Sequence, residues 1–149
     1  MFVVDTDVLS YTSPSSRLAG DAAEAWREWV CANRDSMFLS TITLMEVRFG
    51  IQKLIHRGDE RRALALRRWL LATETVHASR LIQVSAPIAH KAGELLFIAA
   101  SRGSRPSSED ALIAATAQIH GYRLLTRNAR HMQAMDVETL NPLTTLPER

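Results

Sequence analysis

Apolar and polar positions follow two different periods along the chain, and the switches between them mark the elements. The opening Phe2-Val3-Val4 is a short β-favouring run ending in Asp5-Thr6-Asp7, residues suited to turns and helix starts. From Asp21 to Asn33, the residues Ala22, Ala25, Trp26, Trp29 and Val30 form an apolar stripe at helical spacing. Met37-Phe38-Leu39 predicts a second strand. Leu44 to Ile55 predicts a helix carried by Leu44, Val47, Ile51, Leu54 and Ile55, with Gly58 as its stop. Asp59 to about Ala78 reads as a long arginine-studded helix with a break near Thr73, and Leu81-Ile82-Gln83-Val84 as a third strand. Pro87 sits where a first helical turn tolerates it, and the helix continues from Ile88 to Ser101. After a loop at Arg102 to Pro106, Ser107 opens another helix that stops at Gly121. Tyr122 to Thr126 is then a fourth strand and Val137 to Leu140 a short fifth.

Strands alternating with helices predict an α/β fold with a mainly parallel central sheet of four to five strands, flanked by helices. One domain over residues 1–142 accounts for the pattern, with a tail at 143–149 that is expected to be loose from Thr144 onward. At 149 residues the chain is long enough to bury a self-sufficient core. The single cysteine, Cys31, cannot pair within the chain, which fits a reducing compartment. Neither a signal peptide nor a membrane span is expected, so the protein is placed in the cytoplasm, away from membranes.

Net charge is only +2, yet sixteen of the eighteen basic residues are arginine. If Asp5, Asp7, Glu46 and Asp110 share one pocket, their four negative charges leave +6 on the rest of the chain. An acidic pocket on a basic body suits a polyanion bridged to the carboxylates by cations. Arginine-rich solvated helix faces would give the same composition, and the cluster Arg57, Arg61, Arg62, Arg67 and Arg68 reads first in that way.

In open α/β sheets, ligands bind beyond the carboxyl ends of the strands. Asp5 follows the first strand directly, and Glu46 lies about one turn into the helix after the second. Asp110 is in the first turn of the helix leading to the fourth strand, and Asn128 follows that strand. The four can therefore converge on one sheet edge. Each also has a structural role open to it. Thr43 to Glu46 and Ser107 to Asp110 both match capping boxes, and Asp7 suits the cap of a helix beginning at Val8. Crowded carboxylates drift toward protonation unless a cation neutralises them. An oxygen-only ligand set points to Mg²⁺ or Mn²⁺, and such an ion supports phosphodiester hydrolysis.

The blocks MFVVDTDVLS, LSTITLMEVRFG, SSEDALIAATAQIHGYRLLTRN and LNPL resemble, in order and spacing, those of PIN-domain proteins. The similarity is to the VapC and FitB branch, the toxin ribonucleases of type II toxin–antitoxin systems, and it spans Met1 to about Pro142. It implies a single PIN-like domain with Asp5, Glu46 and Asp110 as catalytic metal ligands, supported by Thr6 and Ser40. It further implies a Mg²⁺- or Mn²⁺-dependent endoribonuclease leaving 5′-phosphate and 3′-hydroxyl ends, a homodimer, and a small cognate antitoxin.

The chain departs from the family pattern at two places. Asp7 stands where the family commonly has asparagine. Asn128 and His131 occupy the two positions after the fourth strand where a further acid is often found, so either Asp7 or Asn128 is left to complete the ligand set. Arg127 and Arg130 beside this edge are candidates for binding substrate phosphate. Two other readings are carried forward. One is a PIN fold with weakened catalysis that binds RNA or a partner. The other is an aspartate-nucleophile phosphatase using Asp5 and Asp7, for which only Lys53 and Lys91 could supply the required lysine.

Overall fold

A computed structural model describes residues 1–16 and 20–148. Its strands are β1 (Phe2–Val4), β2 (Met37–Ser40), β3 (Leu81–Ile82), β4 (Arg123–Leu125) and β5 (Thr139–Leu140). They form one sheet in the order β3-β2-β1-β4-β5, with every neighbouring pair parallel. The helices are α1 (Thr6–Leu9), α2 (Asp21–Asn33), α3 (Thr41–His56), α4 (Glu60–Val76), α5 (Ala86–Ser101), α6 (Ser108–His120) and α7 (Ala129–Ala134). The expected α/β class and parallel sheet are both present.

The alternation of side chains along a strand divides the core. Val3 and Leu124 point into one layer with α5, α6 and α7, while Val4 and Leu125 point to the other face, against Trp26 and Trp29 of α2. Trp26 and Trp29 stack with ring centroids 5.5 Å apart, and the Trp26 indole donates to the Val8 carbonyl at 3.0 Å. A third cluster, Val47, Ile51, Ala63 and Leu70, joins α3 to α4. On α6, Ala111, Ala114, Ala115 and Ala117 are fully buried, and such small side chains let a helix sit close to its neighbours. Burying these alanines fixes the helix whose first turn carries Asp110.

The chain runs outward from β1 to β2 and β3, then returns to place β4 on the other side of β1. The strand order therefore reverses between β1 and β4, and the crevice lies at their carboxyl ends. The Asp5 amide donates to the Leu125 carbonyl at 2.9 Å, which ties the two strand ends together there.

Several local expectations are corrected. Helix α3 begins at Thr41, with Ser40 as its cap accepting from the Ile42 amide at 3.2 Å. Thr43 and Glu46 therefore form no capping box, and the buried Thr43 hydroxyl has no hydrogen-bond partner. Helix α1 begins at Thr6 and is capped by Asp5 rather than Asp7. Helix α4 runs through Thr73 without a break, and the Thr73 hydroxyl bonds back to the Trp69 carbonyl within the helix. Strand β3 stops at Ile82, and Gln83 and Val84 are exposed beyond the sheet edge. The tail is tied down rather than loose: Pro147 is buried and its carbonyl accepts from the Trp29 indole at 3.0 Å. Arg149 lies outside the described residues.

Candidate active site

Three short segments bring the acidic residues together. Strand β1 delivers Asp5 to the crevice, where it is 5% exposed. Its Oδ1 accepts from the Thr6 amide at 2.7 Å and its Oδ2 from the Thr126 hydroxyl at 2.6 Å. Helix α3 delivers Glu46, whose Oε2 accepts from the Thr6 hydroxyl. Thr6 thus touches both carboxylates, one through its backbone and one through its side chain. Helix α6 delivers Asp110 inside a complete capping box: its amide donates to Ser107 Oγ at 3.0 Å, and its Oδ2 accepts from the Ser107 amide at 3.3 Å. The capping role and the place at the sheet edge coexist, since the cap sets the direction of the carboxylate.

Asp7 reaches across to the segment after β4, where it accepts from the Arg127 amide at 3.1 Å. The Arg127 guanidinium lies 5.6 Å from the Tyr11 ring and donates to its hydroxyl. Arg130 is exposed on α7. Ser40 is fully buried and caps α3, the helix that carries Glu46, without touching a carboxylate among the described residues.

The electrostatics follow from this geometry. Burial raises the Asp5 carboxyl from an ordinary 3.8 to about 7; the negative charges of Asp7 and Glu46 push the same way, and the bonds from Thr126 and Thr6 oppose them. Burial also raises Asp7, against the Arg127 amide that holds its carboxylate. Glu46 is raised by burial as well, partly offset by the Thr6 hydroxyl and reinforced by Asp110 and Glu109. The main influences on Asp5 and Glu46 include no cationic side chain.

Among the described residues, no three histidine, cysteine or acidic side chains surround a common point as placed. Asp5, Glu46 and Asp110 are instead each turned to a hydroxyl or amide of the protein. The chemistry of the donor set nonetheless fits a hard divalent cation. These are oxygen donors, mutually repelling, and the most buried of them is shifted far toward protonation. A cation would remove that penalty on all of them at once.

Thr126 is the residue the sequence reading missed. Fully buried at the end of β4, it donates to Asp5 and accepts from the Asn128 amide at 2.9 Å. Its only sequence signal is a hydroxyl where an apolar strand gives way to Arg127-Asn128. The structure also turns Asn128 toward His131, and His131 toward Asp110. Beside Glu46 and Thr6 opens a cavity of about 280 Å³, walled by Tyr11, Val47, Leu66 and Trp69 and by a group of serines. Arg48, Arg67 and Arg68 line a separate cleft between α3 and α4.

Comparison with known proteins identifies relatives and a shared fold. The toxin FitB of Neisseria gonorrhoeae is 28% identical over 142 residues, covering 95% of this chain and 98% of FitB. VapC ribonuclease Y4jK of Sinorhizobium fredii is 27% identical over 143 residues, covering 95% and 97%. Among solved structures, FitAcB from Neisseria gonorrhoeae superposes with a TM-score of 0.81 at 26% identity, covering 95% of this chain and 98% of its counterpart. VapBC2 from Rickettsia felis, bound to a promoter DNA fragment, shares the fold with a TM-score of 0.68 at 22% identity, over 94% and 97% of the two chains. The family model for the PIN domain matches residues 2–137, and the chain belongs to the PIN-domain family.

Proposed function

We propose that this chain is a metal-dependent endoribonuclease, with Asp5, Glu46 and Asp110 holding Mg²⁺ or Mn²⁺, and that it acts as the toxin of a toxin–antitoxin pair. The observation that carries the reading is Asp5, buried at the β1–β4 crevice with its carboxyl raised to about 7 beside two further acids. Groups perturbed in this way concentrate at functional sites.

The divalent ion would neutralise the carboxylates and supply the Lewis acidity that phosphodiester hydrolysis requires. The protein's own residues do the positioning. Thr6 and Thr126 hold both oxygens of Asp5, and Thr6 also orients Glu46. Ser107 fixes Asp110. Arg127 and Arg130, exposed beside this edge, offer guanidinium groups to the phosphates of an RNA strand and to the charge that builds up as it is cut. Arg127 is pre-positioned, since Asp7 holds its backbone and Tyr11 its side chain.

The toxin assignment is supported by likeness over 95% of the chain to FitB and to a VapC ribonuclease. It brings with it a small antitoxin partner, a homodimer and a cytoplasmic site of action. Phe49, Leu71 and Phe97 are 65%, 66% and 75% exposed, large apolar side chains of the kind that partners cover. Among the described residues, no helix is long and apolar enough to cross a membrane.

A binding protein with weakened catalysis is favoured by one observation, the replacement of a further acid by Asn128 and His131. The phosphatase reading finds no lysine at the site. Lys53 lies over the Phe49 ring and Lys91 pairs with Glu94 at 2.7 Å. The test is cleavage of a panel of labelled structured RNAs by the purified, partner-free protein in Mg²⁺, Mn²⁺ or EDTA, beside Asp5→Asn and Asp110→Asn. Cutting that needs metal and disappears in both variants is expected. Intact RNA across the panel, with no metal bound, would leave the binding protein as the answer.

A further inference from the structure

We propose that the cavity beside Glu46 and Thr6 is a subsite for one nucleobase of the RNA substrate, the base next to the phosphodiester that is cut. This rests on the reading of the neighbouring carboxylates as the site of RNA cleavage.

The cavity shares two residues with that site. Thr6, whose amide holds Asp5 at 2.7 Å and whose hydroxyl holds Glu46, forms part of its wall, and so does Glu46 itself. Tyr11 is a third wall residue. It carries the Arg127 guanidinium 5.6 Å from its ring and accepts from it through its hydroxyl. An RNA strand whose phosphate meets Arg127 beside the acids therefore brings a base to this opening.

The lining decides what fits. Its volume of about 280 Å³ falls just below the roughly 300 to 1,000 Å³ of pockets that take drug-sized molecules, which suits a single ring system. Tyr11, Leu66 and Trp69 give it apolar and aromatic walls, and aromatic side chains stack with any base. Among the described residues of the lining, only Glu46 is charged, so a phosphate is repelled and a neutral group is admitted. Ser13 adds a hydrogen-bonding edge. It is 8% exposed, and its hydroxyl has no hydrogen-bond partner among the described residues. An apolar side chain in the cavity would leave that hydroxyl unpaired, whereas the polar edge of a base satisfies it.

Gly50 is the second sign that the space is for an occupant. It lies within α3 and lines the cavity. Glycine is a poor residue for a helix interior, yet a Cβ added here would meet nothing within 4 Å. Packing does not demand glycine at this position. The missing side chain leaves the room that a base takes up.

The test uses the full-length chain and RNAs of random sequence. Cleavage in Mn²⁺, read by sequencing the cut ends, should show a base preference at one position beside the cut. An abasic residue at that position should lower kcat/KM about tenfold or more, chiefly through KM. Gly50→Leu fills the cavity with a better helix former, and should give a loss of the same size on intact RNA with none further on abasic RNA. Mn²⁺ affinity should be unchanged in this variant, which separates a filled cavity from a disturbed Glu46. Ser13→Ala should relax the base preference with a smaller loss of rate. Photocrosslinking in EDTA with short RNAs carrying 4-thiouridine or 6-thioguanosine should mark Tyr11 or Trp69, and Gly50→Leu should abolish that product. Unaltered preference and rate in Gly50→Leu, or crosslinks only outside the cavity, would overturn the base site and leave the cavity to a side chain of a protein partner. Crosslinks at Tyr11 or Trp69 in a protein that cuts no RNA would keep a base site and sink the cleavage reading. Neither cutting nor crosslinks would sink both. The abasic and crosslinking readouts work on the unmodified protein, so a variant that misfolds does not protect the idea.

Discussion

Replacing Asp5 with asparagine should stabilise the metal-free protein, and the size of the effect follows from its burial. Asp5 titrates near 3.8 in the unfolded chain and at about 7 in the folded one. The folded pKa is the higher, so between these values the folded state binds the extra proton, and stability falls as pH rises. Below about pH 4 the carboxyl is protonated in both states and no penalty exists. Above about pH 7 it is ionised in both, and the penalty is complete. At about 1.4 kcal/mol per pH unit, the rise corresponds to a penalty of about 4 kcal/mol. Asp5 is almost fully buried, so solvent screening reduces this little. Asparagine keeps the shape and the Thr6 contact but not the charge, and it also relieves the repulsion felt by Asp7. Urea denaturation of both proteins in EDTA from pH 4 to pH 8 measures the difference. The variant should be of similar stability near pH 4 and gain several kcal/mol by pH 8. A variant that is equally stable at pH 8, or whose pH slope matches the parent's, would refute the argument that this carboxylate is held against its charge.

Three further perturbations test other parts of the site and the frame around it. Thr126→Val removes the hydroxyl that donates to Asp5 and accepts from Asn128; it should cost about 1–3 kcal/mol in urea melts and weaken Mn²⁺ binding about 10- to 100-fold by calorimetry. Thr43→Val replaces a buried hydroxyl that has no partner by an isosteric methyl, and thermal melts should show a gain of up to about 1 kcal/mol rather than a loss. Gly121→Ala forces a side chain into the left-handed cap of α6 at φ 65°, and should cost about 1 kcal/mol by denaturation while leaving metal binding in place.

What the sequence made legible was local in origin. The strand Phe2–Val4 was readable from its apolar run, the helix Asp21–Asn33 from its apolar stripe, and the helix Ser108–His120 from its serine cap and stop glycine, all signals that lie within or beside one element. The capping box of Ser107 and Asp110 was read correctly for the same reason. Where two residues compete for one local role, the pattern misled. Ser40 displaced Thr43 as the cap of α3, and Asp5 displaced Asp7 as the cap of α1. Helix α7 is six residues long and offers too few turns for a stripe to show. Contacts made across the fold left no trace in the pattern at all. The Thr126 hydroxyl meets Asp5 at a separation of 121 residues, Trp29 meets Pro147 at 118, and His131 meets Asp110 only because α6 and α7 share an edge. Parallel β1–β4 pairing, which places Asp5 beside Thr126, is a property of the sheet order rather than of either strand.

The central claim is that the carboxylates around Asp5 serve metal-dependent hydrolysis of RNA. Its most direct test is the chemistry of the cut ends. A cleavable RNA is incubated with the EDTA-treated protein, the reaction is started with Mn²⁺, and the termini are assigned by mass spectrometry. The account predicts no products before the metal is added, then 5′-phosphate and 3′-hydroxyl ends, and none with Asp110→Asn. Products that form in EDTA, or that carry 2′,3′-cyclic phosphates, would contradict it.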